Sequence, residues 1–248
     1  MRTTNESVAR SSDDLRADLY RAYALLLSDE SRFMRIARRY RLVTRGDVSE
    51  RLSGWVAREV DHEVARDTVR PALEARGLRV RLVQTMLRLL HDWIFTRLLK
   101  LRWMLLGLVG VEHFKVMMAQ IVLSDPERLE GVEPPVAGML RRHFVEVIEH
   151  RAVLHDVAAF MGVGYMARVL TGALAMVVYT TSLLSLTAWL SVQRGGPLRL
   201  STYVIAFRFL FVDENFCGRF VRHGLAYLRP GFHPLDGAEA PRPAVSLV

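Results

Sequence analysis

The sequence predicts an all-α protein in which a helical bundle is followed by a long apolar C-terminal helix or helical hairpin. Strand signals are scarce along the whole chain, whereas apolar residues recur at helical spacing. The 248 residues, 51% of them hydrophobic, suffice for one domain with its own core. We therefore predict a single helical domain over residues 14–229, with a flexible N-terminus at 1–13 and a flexible tail at 230–248.

The first part of the domain, residues 14–164, is predicted to form the bundle. Capping residues, glycines and prolines indicate where its helices begin and end. The predicted helices begin at Ser12 or Asp13 and at Asp29, and then cover about 49–75, 80–123 and 136–160.

The second part, residues 165–229, contains a long segment without charge. No Asp, Glu, Lys, Arg or His occurs between Arg168 and Arg194. As a helix, 169–193 exceeds the ~20 residues that span a hydrocarbon core, although serines and threonines lower its hydrophobicity. Two interpretations stay open: membrane insertion or tight membrane association through this segment, or a helix buried within the protein. A second apolar helix is predicted over about 201–228.

The composition excludes several classes of site. Cys217 is the only cysteine, so the chain has neither an internal disulfide framework nor a cysteine-based zinc site. A metal ion would need oxygen and nitrogen ligands, which suit iron, manganese or zinc. The formal charge is +8, but no nucleic-acid-binding motif accompanies the arginines. We expect no nucleic acid partner and a cytoplasmic location, at or in the inner face of the cell membrane if 169–193 associates with it.

Two segments of the chain each present Glu and His at helical spacing. Glu59 and His62 are three residues apart in the first, and His143, Glu146 and His150 share one helix face in the second. Two such helices, with single glutamates from two others, form the di-metal carboxylate site of ferritin-like bundles. The sequence therefore predicts a ferritin-like bundle. Its predicted metal ligands are Glu30, Glu59, His62, Glu112, His143, Glu146 and His150.

The same side chains belong to a longer pattern in three segments. They are Arg-Glu-Val-Asp-His-Glu-Val-Ala-Arg-Asp, Gly-Val-Glu-His-Phe and Arg-His-Phe-Val-Glu-Val-Ile-Glu-His-Arg-Ala-Val-Leu-His-Asp-Val. In order and approximate spacing, over about residues 20–190, the chain resembles the bacterial family of predicted metal-dependent hydrolases. The resemblance implies an all-helical, ferritin-like metal site that uses the ligands given above, with Glu149 and Asp156 also matching the family pattern.

Two positions depart from the family pattern. Arg66 stands where the family has a second His, and Val147 stands where it has the second of two paired glutamates. Arg66 cannot ligate a metal because its guanidinium stays protonated, so we place it beside the ligands, where Asp156 is expected to orient a ligating imidazole. One metal ion in place of two, a rearranged site that uses Glu149, and a fold without catalysis all stay open.

Three functions are compatible with this pattern. The first is a non-haem di-iron-type oxidoreductase, with two iron ions or one, acting on a hydrophobic small molecule or lipid between apolar walls. The second is a metal-dependent hydrolase, with manganese or zinc as alternatives to iron, in which Glu149 is the general base for a metal-activated water. The third is a membrane-associated scaffold without catalysis. The remaining histidines His91, His223 and His233 are predicted to be structural or exposed.

Overall fold

The computed structural model describes residues 2–27, 31–93, 100–194 and 216–236. Side chains at some helical positions, among them 2–12, 31–33, 60–66 and 90–93, fall outside this description. The described chain is helical and contains no strand, which confirms the all-α fold class. Its helices are α1 (Arg2–Leu27), α2 (Ser31–Arg41), α3 (Gly46–Arg66), α4 (Val69–Glu74), α5 (Val80–Trp93), α6 (Leu101–Leu123), α7 (Pro134–Glu149), α8 (Val153–Phe160), α9 (Tyr165–Gln193) and α10 (Phe216–Tyr227), with a 3₁₀ turn at Pro126–Leu129.

Three of the predicted helices are each divided in the structure. The predicted helix over 80–123 becomes α5 and α6, and Lys100, just before α6, is extended with φ −70° and ψ 156°. The predicted helix over 49–75 becomes α3 and α4, because Pro71 has no N–H and is tolerated only in a first turn; it is the third residue of α4. The predicted helix over 136–160 becomes α7 and α8. The division falls at His150, whose φ of −108° and ψ of 17° depart from helical values. Arg151 Nη1 donates to the carbonyl of Ile148 there, which satisfies one of the carbonyls at the helix end.

The central helix of the bundle is α6. It packs against α7, α8 and α9, and α9 in turn packs along α1. The closest approach of α6 and α9 occurs at two glycines: a Cβ atom on Gly110 would lie 2.7 Å from the Cα of Gly172. Only glycine allows two helices to approach this closely. Tyr227, the last residue of α10, covers Gly172 and is itself buried.

The structure describes part of each terminal segment that the sequence predicts to be flexible, whereas residues 237–248 lie outside the described residues. At the N-terminus α1 begins at Arg2, within the segment 1–13. At the C-terminus, residues 231–236 pack onto the bundle, although the sequence predicts a flexible tail from residue 230. The Phe232 ring explains this packing, because its centroid lies 5.3 Å from that of His113 and 5.4 Å from that of Tyr227. Burial of aromatic surface holds the segment in place.

Two described helices, α6 and α9, are long and apolar enough to cross a membrane. In α6, 83% of the apolar window is buried inside the protein, as expected for a core helix, whereas in α9 only 33% is buried. One face of α9 packs on α1 and α6, and its other face is exposed. Large aliphatic side chains at helical spacing cover this exposed face: Met166, Leu170, Leu174, Val177, Leu184 and Val192.

Candidate metal centre

Among the described residues, five ionisable side chains of α3, α6 and α7 with its capping residue are buried inside the bundle. They are Glu59, Glu112, Lys115, His143 and His150, with relative exposures of 1, 3, 1, 2 and 4% respectively. Glu59 comes from α3, Glu112 and Lys115 come from α6, and the two imidazoles come from α7 and the residue that caps it. Ionisable groups at this depth are costly unless they are paired or ligated. The group therefore requires pairing or ligation.

Helical periodicity directs these side chains inward. Trp55 and Glu59 are four residues apart on α3, and both are buried. On α7, His143 and Glu146 share a face with His150, which ends the helix and donates its backbone N–H to the Glu146 carbonyl at 3.1 Å. His143, Glu146 and His150 therefore share one helix face in the structure, as their i, i+3, i+7 spacing predicts, with His150 as the capping residue.

Aromatic side chains surround both buried imidazoles. The rings of Tyr23 and His143 have centroids 6.3 Å apart. Trp55 meets His150 edge-on, at 6.2 Å and 87°. Tyr23 also stacks on Phe144 at 5.4 Å. These rings, together with the equally buried Phe114, keep water away from the buried group.

Glu112, one of the predicted metal ligands, forms a buried ion pair. Its Oε1 accepts a hydrogen bond from Lys115 Nζ at 2.7 Å, one helical turn further along α6. The lysine charge therefore offsets the carboxylate charge within the core. Glu112 consequently has less negative charge to offer a metal ion than an unpaired carboxylate would have.

The remaining predicted site residues are placed differently. Glu146 is half-buried. Glu149, the predicted general base, is exposed: 59% of its side chain is accessible, and its carboxylate lies 3.9 Å from Arg58 Nη1. It faces away from the buried group. Glu30, and the side chains of His62 and Arg66, lie outside the described residues.

A different cluster has the closest potential metal ligands. Among the residues whose side chains are described, one group of three His, Cys, Asp or Glu has its ligand atoms within 4.8 Å of one another, namely His155, Asp156 and His233. The described members of the predicted ligand set do not form such a group. Asp156 does bind an imidazole, as expected, but the ring is that of His233, whose Nε2 donates to Oδ1 at 2.9 Å.

Neither His155 nor His233 is a predicted site residue. His155 adjoins Asp156 in the sequence, but the sequence does not show that both meet His233. His233 is separated from Asp156 by 77 positions and lies in a segment of loop composition. The neighbouring Phe232 was the available signal, because a large aromatic residue in a polar tail indicates a segment that packs.

His113 follows Glu112 in sequence but serves another purpose. Its Nε2 donates to the backbone carbonyl of His223 at 3.1 Å, and its ring lies 4.8 Å from that of Tyr227. Burial lowers the pKa of His113 to about 4, so the ring is neutral at physiological pH. His113 joins α6 to α10 and is not available as a ligand through Nε2.

A comparison with known protein families shows which family the chain belongs to. Residues 11–237 match the family described as predicted metal-dependent hydrolase. This chain belongs to that family. The match confirms the resemblance and extends it through the C-terminal segment that contains His233. No curated protein and no solved structure matches the chain.

Proposed function

We propose that this protein is a metal-dependent hydrolase whose cation is held by the buried Glu and His side chains of the bundle. The observation that carries the proposal is the burial of Glu59, His143 and His150 at the contacts of α3 with α7 and α8, in a family whose description names metal-dependent hydrolysis. The described residues supply one anionic oxygen ligand and two imidazoles. Glu146 and the undescribed Glu30 and His62 would complete the set.

The donor set and its charge fit one divalent cation. Carboxylate and imidazole suit zinc, manganese and ferrous iron. A pair of iron ions needs several carboxylates to offset its charge, but Lys115 already offsets Glu112 and an arginine replaces the second histidine of the family pattern. We therefore favour hydrolysis at one cation over oxidation at two irons, the other function that the spacing of Glu and His suggests.

The protein residues around the cation have separate tasks. A divalent cation bound there would supply Lewis-acid chemistry and lower the pKa of a bound water towards ~7. Tyr23 and Trp55 exclude bulk water, which strengthens electrostatic interactions in the site. Glu146 is half-buried on the face that carries His143 and His150, so one of its carboxylate oxygens can accept the proton of the attacking water. Glu149 is exposed, so its carboxylate is not placed to accept this proton.

We propose a hydrophobic substrate, such as an acyl ester. The walls of the buried group are aromatic and aliphatic. An apolar groove of about 380 Å³ lies between α9 and α10, lined by residues such as Met176, Val177, Val221 and Leu225. A groove of this size and character accommodates an alkyl chain.

The decisive experiment measures hydrolysis without oxygen. We expect the purified protein to hydrolyse p-nitrophenyl acyl esters under anaerobic conditions, to lose this activity after chelation, and to regain it with zinc, manganese or ferrous iron. Long acyl chains should be preferred over acetate. Turnover that requires dioxygen and a reductant, or ester hydrolysis that survives complete metal removal, would overturn the proposal.

We further propose that α9 associates with a membrane surface, with lipid as its partner. Its exposed aliphatic face is continuous over most of a 29-residue helix, and Tyr165 and Trp189 stand exposed near its two ends. Spanning is disfavoured because Arg194, just after α9, pairs with Asp14 and Asp18 of α1. Crossing would carry those charges into hydrocarbon. The helix therefore lies along the interface with its apolar face towards lipid.

Replacing two exposed leucines should weaken vesicle binding. Leu170 and Leu174 are 63% and 62% exposed on the apolar face. Burial of each leucine contributes at least about 1.5 kcal/mol, so the double variant Leu170→Lys/Leu174→Lys should bind phosphatidylcholine vesicles about 100-fold more weakly. Co-sedimentation measures the partition coefficient. The matched control is Leu42→Lys, at a position 86% exposed and outside α9; equal binding by all three proteins would refute the proposal.

A further inference from the structure

The cluster at the C-terminal edge of the bundle has three potential ligand atoms that converge on one point. His233 Nε2 lies 2.9 Å and His155 Nδ1 lies 3.9 Å from the same atom, Asp156 Oδ1. The two imidazole rings are 5.0 Å apart and perpendicular, at 88°. Side-chain exposures are 12% for His155, 18% for Asp156 and 33% for His233. The cluster is therefore accessible from one side and sheltered on the other.

His155 is held in the tautomer that a metal ligand requires. Its ring hydrogen-bonds the backbone of Phe232, whereas its Nδ1 is buried and has no hydrogen-bond partner among the described residues. The proton is therefore on Nε2, and the Nδ1 lone pair points towards Asp156. Metal-binding histidines usually donate their other N–H to a backbone carbonyl or carboxylate in this way. Burial, and then the neighbouring His233, lower the pKa of His155 and keep the ring neutral.

Asp156 is fixed in its ionised form. Arg51 Nη1 donates to Oδ2 at 2.5 Å, which leaves Oδ1 for the two histidines. Burial alone would raise the pKa of Asp156, but the hydrogen bonds from His233 and Arg51 outweigh it and lower the pKa. The cluster thus offers one anionic oxygen and two imidazoles, a donor set typical of zinc sites with an open position for water.

His233 can become a ligand at small cost. In the structure its Nε2 carries a proton that is shared with Asp156, and its Nδ1 accepts a long hydrogen bond of 3.3 Å from the Leu235 N–H. To ligate through Nε2, the neutral ring moves that proton to Nδ1 and gives up the bond from Leu235. The segment is otherwise kept in place by Arg151 Nε, which donates to the Pro234 carbonyl at 3.0 Å.

We propose that His155, Asp156 and His233 form a second divalent-cation site, suited to zinc, which joins α8 to residues 231–236. The site is separate from the buried centre. On α3, Arg51 binds Asp156 of the second site and Glu59 belongs to the buried centre. These two residues are eight positions apart, or about 12 Å at 1.5 Å per residue. That separation exceeds the ~4 Å between the ions of a two-metal catalytic centre. The second cation fixes the C-terminal segment against the bundle.

Zinc binding to the metal-free, full-length protein tests the proposal. We expect equilibrium dialysis to show two zinc ions per wild-type chain and one fewer in each of the variants His155→Ala and His233→Ala. His233 is partly exposed, so its variant should fold even if the other does not. The control His223→Ala changes a histidine outside both sites and should bind zinc as the wild type does. Limited proteolysis should show zinc-dependent protection of residues 231–236 in the wild type and in His223→Ala, but not in His155→Ala or His233→Ala.

The two proposals fail separately. If His155→Ala and His233→Ala bind as much zinc as the wild type, the second site is refuted, whatever the buried centre does. If a variant of the buried centre such as Glu59→Ala binds as much zinc as the wild type, while His155→Ala loses all binding, the second site stands and the buried centre fails. Loss of one equivalent from each kind of variant supports both.

Discussion

Replacing Glu59 or His150 by alanine should abolish metal retention by the buried centre while the helical content stays unchanged. Glu59 is a carboxylate of α3 that is only 1% exposed, and His150 caps α7 beside Trp55. Each substitution removes a metal ligand that the remaining side chains cannot replace. Metal content after gel filtration measures the effect, and the Glu59-dependent hydrolysis of acyl esters should disappear with it.

Thermal stability provides a second measurement of metal binding by Glu59 and His150. A ligand that binds only the folded protein stabilises it by about 2.7 kcal/mol at one hundred times its dissociation constant. The wild type should gain stability of this order when the metal is added, and Glu59→Gln, which keeps the shape of the side chain, should not. Glu130→Ala, at an exposed position, serves as the control. A metal-dependent gain in stability that persists in both Glu59→Gln and His150→Ala would contradict the assignment.

The variant Glu149→Ala tests whether the metal centre uses Glu149 as a ligand. The sequence left open a rearranged centre that uses Glu149, but the structure places this side chain at the surface near Arg58. We therefore expect this variant to retain the metal. The sequence could not decide because Glu146, Glu149 and His150 lie within about one helical turn, so their spacing alone does not show which of them is enclosed.

The sequence was most informative where periodicity determines the structure. It predicted the helical class, the uncharged α9, and the inward placement of Glu59, His143 and His150, because buried side chains on helices recur every three or four residues. It could not predict contacts between distant segments. The meeting of His233 with Asp156 depends on how residues 231–236 return to α8, and the ion pair of Glu112 with Lys115 depends on which face of α6 is enclosed.

The close approach of α6 and α9 was likewise invisible before the structure. Gly110 and Gly172 lie within helices, and the sequence pattern does not show that they allow contact between the two backbones. A glycine inside a helix costs about 1 kcal/mol relative to alanine. Its presence at both positions is explained only by the neighbouring helix and by the ring of Tyr227.

Replacing Gly172 by alanine should destabilise the protein by about 3 kcal/mol, because the added Cβ would overlap the ring of Tyr227. Tyr227 cannot easily move: it is 1% exposed, and its ring is stacked on His113 and covered by Arg168 at 5.0 Å. Overpacking of this kind outweighs the gain of about 1 kcal/mol in helix propensity. For a chain of this size the midpoint of thermal unfolding should fall by about 6–12 °C.

Gly138→Ala is the matched control for this substitution. Gly138 also lies within a helix, α7, but nothing is found within 4 Å of the position of its Cβ. The same chemical change should therefore stabilise the protein by up to about 1 kcal/mol. In a Tyr227→Leu background the cost of Gly172→Ala should shrink, since the ring is gone and the two sites are in contact. An equal cost in both backgrounds would show that the clash with Tyr227 is not the cause.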